Sequence, residues 1–295
     1  MKFGIAGNLS KAELPQVAAS LIERFVRDGV PFVIQDTLAK LLQRSKTVKV
    51  PRSVMVSAQK LASSCDMLIS LGGDGTILRM ARLVGSKRVP ILGINLGKLG
   101  FLAEVSLAEM DECISEILDG RFRVQDRLML QAGVKGVKQS FLGLNDIVID
   151  KYGSSRVMDF ETYVNGEFLA TFRGDGIILS TPTGSTAYAL ANGGPIATPT
   201  NHLIIISPIC PHTLTARPVI VPEDAKIEVR IGEFSSKVRV TADGQEEKLV
   251  SPPTSIWIQK APLTAQLVKR LNTNYYQVLR EKLHWGKDVR LQSRD

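Results

Sequence analysis

Met67-Leu68-Ile69-Ser70-Leu71-Gly72-Gly73-Asp74-Gly75-Thr76 is the stretch from which the architecture follows. Behind Asp66 its almost unbroken apolar run predicts a strand covered on both faces, the pattern of a parallel sheet. Three glycines crowd the strand's tip, and the residues after them predict a helix from about Thr76 to Gly85. Strand, glycine loop and helix in that order are the building block of an open α/β sheet.

Outward from this block the same alternation continues. Upstream, a short apolar run at 3–6 predicts a strand. Val17, Leu21, Ile22, Phe25 and Val26 recur at helical spacing over 14–27 and are closed by Gly29, and 31–34 predicts a second strand. Downstream, 90–94 predicts another buried strand and 108–118 another helix, stopped by Gly120. Past Phe122 the pattern changes. Leu128, Leu130 and Ala132 alternate with other residues, 144–149 predicts a strand, and 160–164 and 167–172 flank Asn165-Gly166, a strong hairpin signal. Strands are further predicted at 177–180, 203–207, 226–231, 237–241 and 255–258, and helix returns only over 274–285. The expectation is an α/β domain over 1–122 carrying an open, largely parallel sheet, a β-rich domain over 123–272, and a helical segment over 273–295 that packs back on the first domain.

Composition narrows the function classes. The chain has 295 residues, 44% hydrophobic and 22% charged, which is ordinary for a folded globular protein and excludes collagen-like, coiled-coil and disordered readings. Lys plus Arg number 37 against 29 Asp plus Glu, a net charge of +8. The basic residues are scattered and aromatics make up only 6%, so a small polyanionic ligand accounts for the modest excess as well as nucleic acid does. No run approaches the roughly 18 apolar residues of a membrane span, and the N-terminal residues show no apolar signal-peptide core, so a cytoplasmic protein without membrane partners is expected. Cys65, Cys113 and Cys210 lie far apart without metal-ligand spacing, and no structural metal is expected.

The glycine loop after the central strand lets backbone amides and the positive end of a helix dipole approach a phosphate. Asp74 is out of place in such a cradle, because a carboxylate repels phosphate unless it has another task. Accepting a proton from an attacking hydroxyl is one such task; capping the helix is the plainer alternative. Asn95-Leu96-Gly97-Lys98-Leu99-Gly100-Phe101 is a second glycine-bearing loop on the same side of the expected sheet. The two loops would then form one crevice at the strand C-termini, with Phe101 either stacked on a base or buried. Neither the Walker pattern nor the dinucleotide Gly-x-Gly-x-x-Gly fingerprint is present.

A third segment runs from Gly174-Asp175-Gly176 through Thr181-Pro182-Thr183-Gly184-Ser185-Thr186-Ala187-Tyr188, with Ala187 to Ala191 compatible with helix. Its hydroxyls could donate to phosphate or ribose oxygens, Asp175 could accept from an amide or hydroxyl, and Tyr188 could cover a ring. Asn145-Asp146 offers amide and carboxylate groups for an adenine edge and ribose hydroxyls, or a plain turn. Arg173, beside Gly174-Asp175, is a stronger phosphate candidate than Arg156, and Gln245 sits in the Asp243-Gly244-Gln245 turn.

With Gly193-Gly194-Pro195 and Pro208-Ile209-Cys210-Pro211-His212 these segments, in this order over nearly the whole chain, resemble the NAD kinases. The Gly-Gly-Asp-Gly-Thr element alone is shared with lipid and sugar kinases, whereas the Thr-Pro-Thr-Gly-Ser-Thr-Ala-Tyr run is far more selective. The resemblance implies transfer of a phosphoryl group from ATP, or polyphosphate, to the 2′-hydroxyl of the adenosine ribose of NAD, giving NADP with Mg²⁺. It implies Asp74 as catalytic base and Gly72, Gly73, Gly75 and Thr76 as phosphate loop. Gly75, Phe101, Asn145, Asp146, Arg156, Arg173, Asp175, Thr186, Ala187, Tyr188, Ala191 and Gln245 would complete the NAD site around Asp74. A homodimer or homotetramer is also implied. Two positions depart from the common family pattern: Asp146 where Glu is frequent, and Ala191 where many members carry Ser. The alternatives are a lipid or sugar kinase sharing the glycine-aspartate element and a non-catalytic NAD-binding regulator.

Overall fold

The computed structural model describes residues 1–97, 100–233 and 236–285; Lys98 and Leu99 of the second glycine loop lie outside the described residues. The chain divides into two compact units, 1–125 with 266–295, and 126–265. The segments expected from sequence, 1–122, 123–272 and 273–295, differ from these units most at the return point, because the end of a long strand already belongs to the first unit at Gln266.

The first unit opens β1 (Phe3–Gly7), α1 (Leu14–Arg27), β2 (Phe32–Gln35), α2 (Asp36–Ser45), β3 (Met55–Val56), α3 (Ala58–Leu61), β4 (Met67–Gly72), α4 (Asp74–Val84), β5 (Ile91–Asn95) and α5 (Met110–Leu118). β3-β2-β1-β4-β5 lie side by side and parallel, with Phe3 opposite both Phe32 and Met67 and Leu68 opposite Ile91. Every residue of β1, β4 and β5 is buried, as a sheet covered on both faces requires. In α1, Leu14, Ala18, Leu21, Ile22 and Phe25 face the core, and Gly29 at φ +66° ends the helix. Val26, expected on that face, is 69% exposed. α2 was not anticipated, and α4 begins at Asp74 with Gly73 as its N-cap residue, two residues before the expected start.

The sheet builds outward from β1 first toward β2 and then, after α3, from the other side through β4. That reversal opens a crevice outside the C-terminal ends of β1 and β4. Gly7 and the Gly72-Gly73-Asp74 corner are the residues at those ends.

The second unit takes in most of β6 (Phe122–Val134), then β7 (Ser140–Gly143), β8 (Asp146–Lys151), β9 (Met158–Val164), β10 (Glu167–Gly174), β11 (Gly176–Ser180), α6 (Tyr188–Ala191), β12 (Leu203–Ile209), β13 (Val219–Pro222), β14 (Ile227–Ile231), β15 (Val238–Ala242), β16 (Glu246–Val250) and the first part of β17 (Thr254–Arg270). One antiparallel sheet runs β13-β12-β11-β8-β15-β16, and β10-β9-β14-β17 form another antiparallel ladder. Ile147, Ile149, Ile177, Ile204 and Val240 of the one meet Phe160, Val229 and Ile256 of the other in a shared core. The β9–β10 hairpin turns on Asn165 and Gly166 at φ 53° and 87°, the two left-handed positions a tight hairpin needs. On the outer face of the six-stranded sheet a smaller cluster, Val148, Ile178, Ala189 and Ile209, seats α6.

β17 then re-enters the first unit, where Leu267 pairs with Ile91 beside β5, and α7 (Tyr275–Leu283) follows with the Asn274 side chain accepting from the Tyr276 amide as its cap. Arg270, 6% exposed, ion-pairs with Glu109, Glu112 and Glu116, which lie along one face at the start and length of α5. No helix among the described residues is long and apolar enough to cross a membrane.

Candidate functional site

In the first unit the glycine-aspartate corner is built by close approach. A Cβ on Gly72 would lie 2.2 Å from the Thr76 Oγ1, so only glycine lets β4 turn directly into α4. The turn aims the first amides of α4 out past the strand end and leaves Asp74 in the helix's first turn. Its carboxylate is fixed by main chain from the second glycine loop. Phe101 N donates to Oδ2 at 2.8 Å, and Leu102 N and Ala103 N both donate to Oδ1 at 3.0 Å. A Cβ on Gly100 would sit 1.9 Å from Oδ1, so that position too is closed to any side chain. Among the described residues Oδ1 thus accepts two amides and Oδ2 one, which leaves Oδ2 a second lone pair. The two glycine-bearing loops thus meet at the Asp74 carboxylate. Asn95, 4% exposed, holds the start of the second loop by accepting from Gly97 N at 3.0 Å. Phe101 is half-buried under the Lys282 ammonium of α7, 5.7 Å from the ring centroid.

In the second unit a cavity of about 400 Å³ is lined by Asn145, Asp146, Val148, Asp150, Ala187, Tyr188, Arg239, Thr241, Asp243, Gly244 and Glu247. Asp243, at φ 52°, organises it. Its carboxylate accepts from Leu144 N at 3.1 Å, Asn145 N at 2.7 Å and Asp146 N at 3.3 Å, while its own amide donates to Asp146 O. The Asn145 carbonyl accepts from Thr181 N at 2.9 Å, and a Cβ on Gly184 would lie 2.0 Å from that same oxygen. Asn145 is therefore clamped by main chain on both sides where it lines the cavity. Asp146 is 5% exposed; burial, with the Asp243 carboxylate adding to it, pushes its pKa up to about 7. Partial burial and the nearby Asp150 carboxylate raise the Tyr188 phenol above its ordinary range.

Of the residues expected from sequence, Asn145, Asp146, Ala187 and Tyr188 line this cavity. Thr186 and Ala191 flank the last two along the chain, and Gln245 follows Gly244. Asp74, Gly75 and Phe101 belong to the first unit. Arg156, Arg173 and Asp175 lie outside the lining. Arg173 makes a bidentate pair with Asp159, 2.8 Å at both contacts, across the β9–β10 ladder, and Asp175 pairs with Lys151 at 2.6 Å. The hydroxyls of Thr181, Ser185 and Thr186, expected as ligand donors, are committed to the carbonyls of Leu144, of Pro182 and Ala197, and of Thr183.

Sequence reading missed Asp150, Arg239, Thr241 and Asp243. Arg239 pairs with Asp150 through two bonds of 3.0 and 2.6 Å, and the two residues are directly opposite in the β8–β15 register. Period two was the available signal: Ile147 and Ile149 point to the core, so Asp146, Val148 and Asp150 must share the other face.

Chemically, the first unit offers a glycine-lined helix start for phosphate and a held carboxylate with one open acceptor position. The second offers an amide, the buried carboxyl of Asp146 and an aromatic ring, suited to a nucleoside. Comparison with known proteins agrees. Residues 3–122 match the ATP-NAD kinase N-terminal domain and residues 144–270 the ATP-NAD kinase C-terminal domain. The NAD kinase of Geotalea daltonii is 41% identical over 273 residues, covering 92% of this chain and 93% of that protein. That of Bacteroides fragilis is 38% identical over 293 residues, covering 99% and 100%. Among solved structures, yeast NADH kinase complexed with NADH superposes with a TM-score of 0.88 at 27% identity, over 99% of this chain and 89% of that one. An Archaeoglobus fulgidus NAD kinase in complex with ATP gives a TM-score of 0.75 at 25% identity, over 96% and 99%. Two successive domain matches and relatives alike from end to end leave one assignment: this chain belongs to the NAD kinase family, and so to the phosphotransferases.

Proposed function

We propose that the chain transfers the terminal phosphoryl group of ATP to the 2′-hydroxyl of the adenosine ribose of NAD, giving NADP and ADP. The observation that carries this reading is the Asp74 carboxylate, held by three amides yet open at Oδ2 beside the α4 N-terminus. A ribose hydroxyl is a weak nucleophile. Hydrogen-bonded to Oδ2, it gives its proton to the carboxylate as its oxygen bonds to the γ-phosphorus and the bond from that phosphorus to the bridging oxygen of ADP breaks. Three amides hold the acceptor in place before the substrate arrives, so little reorganisation is left for the chemical step.

Gly72, Gly73, Gly75 and Thr76 shape the phosphate loop, where the glycine backbone and the positive end of the α4 dipole favour the anionic donor. Asn145 and Asp146 bind adenosine or ribose polar groups, with Ala187 and Tyr188 against a ring. Thr186, Ala191 and Gln245, with Phe101, Arg156, Arg173 and Asp175, complete dinucleotide binding, the two arginines by exchanging present partners or solvent for phosphate. Mg²⁺ would be held largely by the phosphates of ATP, as suits an ion that keeps most of its water, and would supply charge neutralisation there. A cytoplasmic homodimer or homotetramer belongs to the same reading.

Purified protein incubated with NAD, ATP and Mg²⁺ should form NADP. Asp74→Asn should lower kcat by about 10²–10⁴-fold and leave the KM for NAD nearly unchanged. Equal losses in both would make Asp74 a binding residue, and no NADP from ATP or polyphosphate would reject the reading.

A further inference from the structure

The residues that hold Asp74 are themselves anchored by a charged pair that the proposed chemistry does not use. Every position from Gly100 to Val105 is tied down. Gly100 N donates to Ala103 O at 3.2 Å, the amides of Phe101, Leu102 and Ala103 converge on Asp74, and Val105 O accepts from Asn95 N at 2.8 Å at the end of β5. Between the amide cradle and that last bond stands Glu104, whose Oε1 accepts from Lys269 Nζ on β17. The two side chains are 9% and 4% exposed, while most other ion pairs among the described residues have at least one exposed partner.

Burying two charges costs more in solvation than their attraction returns, so such a pair is weak evidence for stability. Its value lies in geometry: a charged hydrogen bond has a short, directed optimum and cannot slip as an apolar contact can. We propose that the Lys269–Glu104 pair is a positioning device for the reaction, fixing the 101–103 amides, and through them Asp74 Oδ2, in the register the acceptor hydroxyl needs. Glu104 and Lys269 are positioning residues, neither of them touching substrate. The inference rests on the assignment of Asp74 as the base.

The test replaces the pair by apolar groups of similar volume, Glu104→Leu with Lys269→Met, which removes both charges of the pair together. The expected result is a melting temperature at or above that of the parent, a kcat lowered by about tenfold or more, and a KM for NAD within about twofold of the parent. Amide hydrogen exchange at 101–103 should quicken, while that of the β4 amides stays the same. Glu104→Asp keeps the charge and shortens the tether, so a folded protein with a severalfold lower kcat is expected even where the double variant expresses poorly. Unchanged kcat in either folded variant, or kcat falling only in step with melting temperature, would overturn the proposal. So would unchanged exchange at 101–103. That readout needs no turnover: a parent that makes no NADP defeats the functional reading, while the exchange data still decide the anchoring.

Discussion

Asp74 and Asp146 are both carboxylates near strand ends, and their surroundings give them opposite characters. Asp74 accepts three amides; Asp146 is buried beside another carboxylate and held up to about 7. The sign of the consequence for Asp146 can be worked out. Its folded pKa stands above the unfolded value of 3.8, so between about pH 4 and 7 the native state binds the extra proton and stability falls as pH rises through that window. Below it the penalty vanishes; above it the cost is constant, at most about 4 kcal/mol for three pH units. Asp146→Asn should therefore raise the melting temperature at pH 8, leave it unchanged near pH 4, and flatten the slope between. A melting temperature that falls equally at both pH values would show that Asp146 is not the titrating group. The sequence marked Asp74 because a carboxylate is out of place in a phosphate cradle, and Asp146 because it stands beside Asn145 with groups suited to a nucleoside, a plain turn being the alternative. It carried no trace of the 101–103 amides, which lie 27 to 29 residues from Asp74 and meet it only once β4 and β5 have paired.

At the scale of elements, the segment from β11 into α6 stood out in the sequence, and the fold gives its hydroxyls backbone partners. Its density of hydroxyls suggested donors for a ligand. In the folded protein Thr181 Oγ1 donates to Leu144 O at 2.6 Å and accepts from Gly184 N at 3.0 Å, and Ser185 bridges the main chain of Pro182 and Ala197. A short loop closing over a strand end has more backbone groups than local partners, and hydroxyls satisfy them. What the segment contributes is the shape that holds Asn145. Gly184→Ala tests this, because the added Cβ meets a carbonyl that is also bonded to Thr181 and cannot yield cheaply. The KM for NAD should rise by about tenfold or more with a smaller change in kcat, the reverse of Asp74→Asn. A variant with parental KM would remove the loop from dinucleotide binding. Strand faces were the other gap. Arg239 and Asp150 come together through the β8–β15 register, which local patterning predicts only after the strands have been paired correctly.

For the whole molecule, the change from helical to alternating periodicity near Phe122 exposed the two-part organisation, while the return of the chain was visible only as a terminal helix. The return matters to folding because the first unit is discontinuous: its sheet ends on β17, and α5 carries Glu109, Glu112 and Glu116 around a single buried arginine. Without 266–285, β5 loses its pairing at Ile91, and Glu109, Glu112 and Glu116 lose Arg270. The second unit is continuous over 126–265 and keeps a two-sheet core made from its own strands. Expressed separately, 126–265 should remain soluble, give a β-type circular dichroism spectrum and unfold cooperatively. Residues 1–125 alone should aggregate or lack cooperative unfolding, and supplying 266–285 through a short linker after residue 125 should restore it. Cooperative melting of 1–125 by itself would mean that the sheet β3-β2-β1-β4-β5 closes its core without the returning strand, and that β17 serves the first unit as an addition to a finished fold.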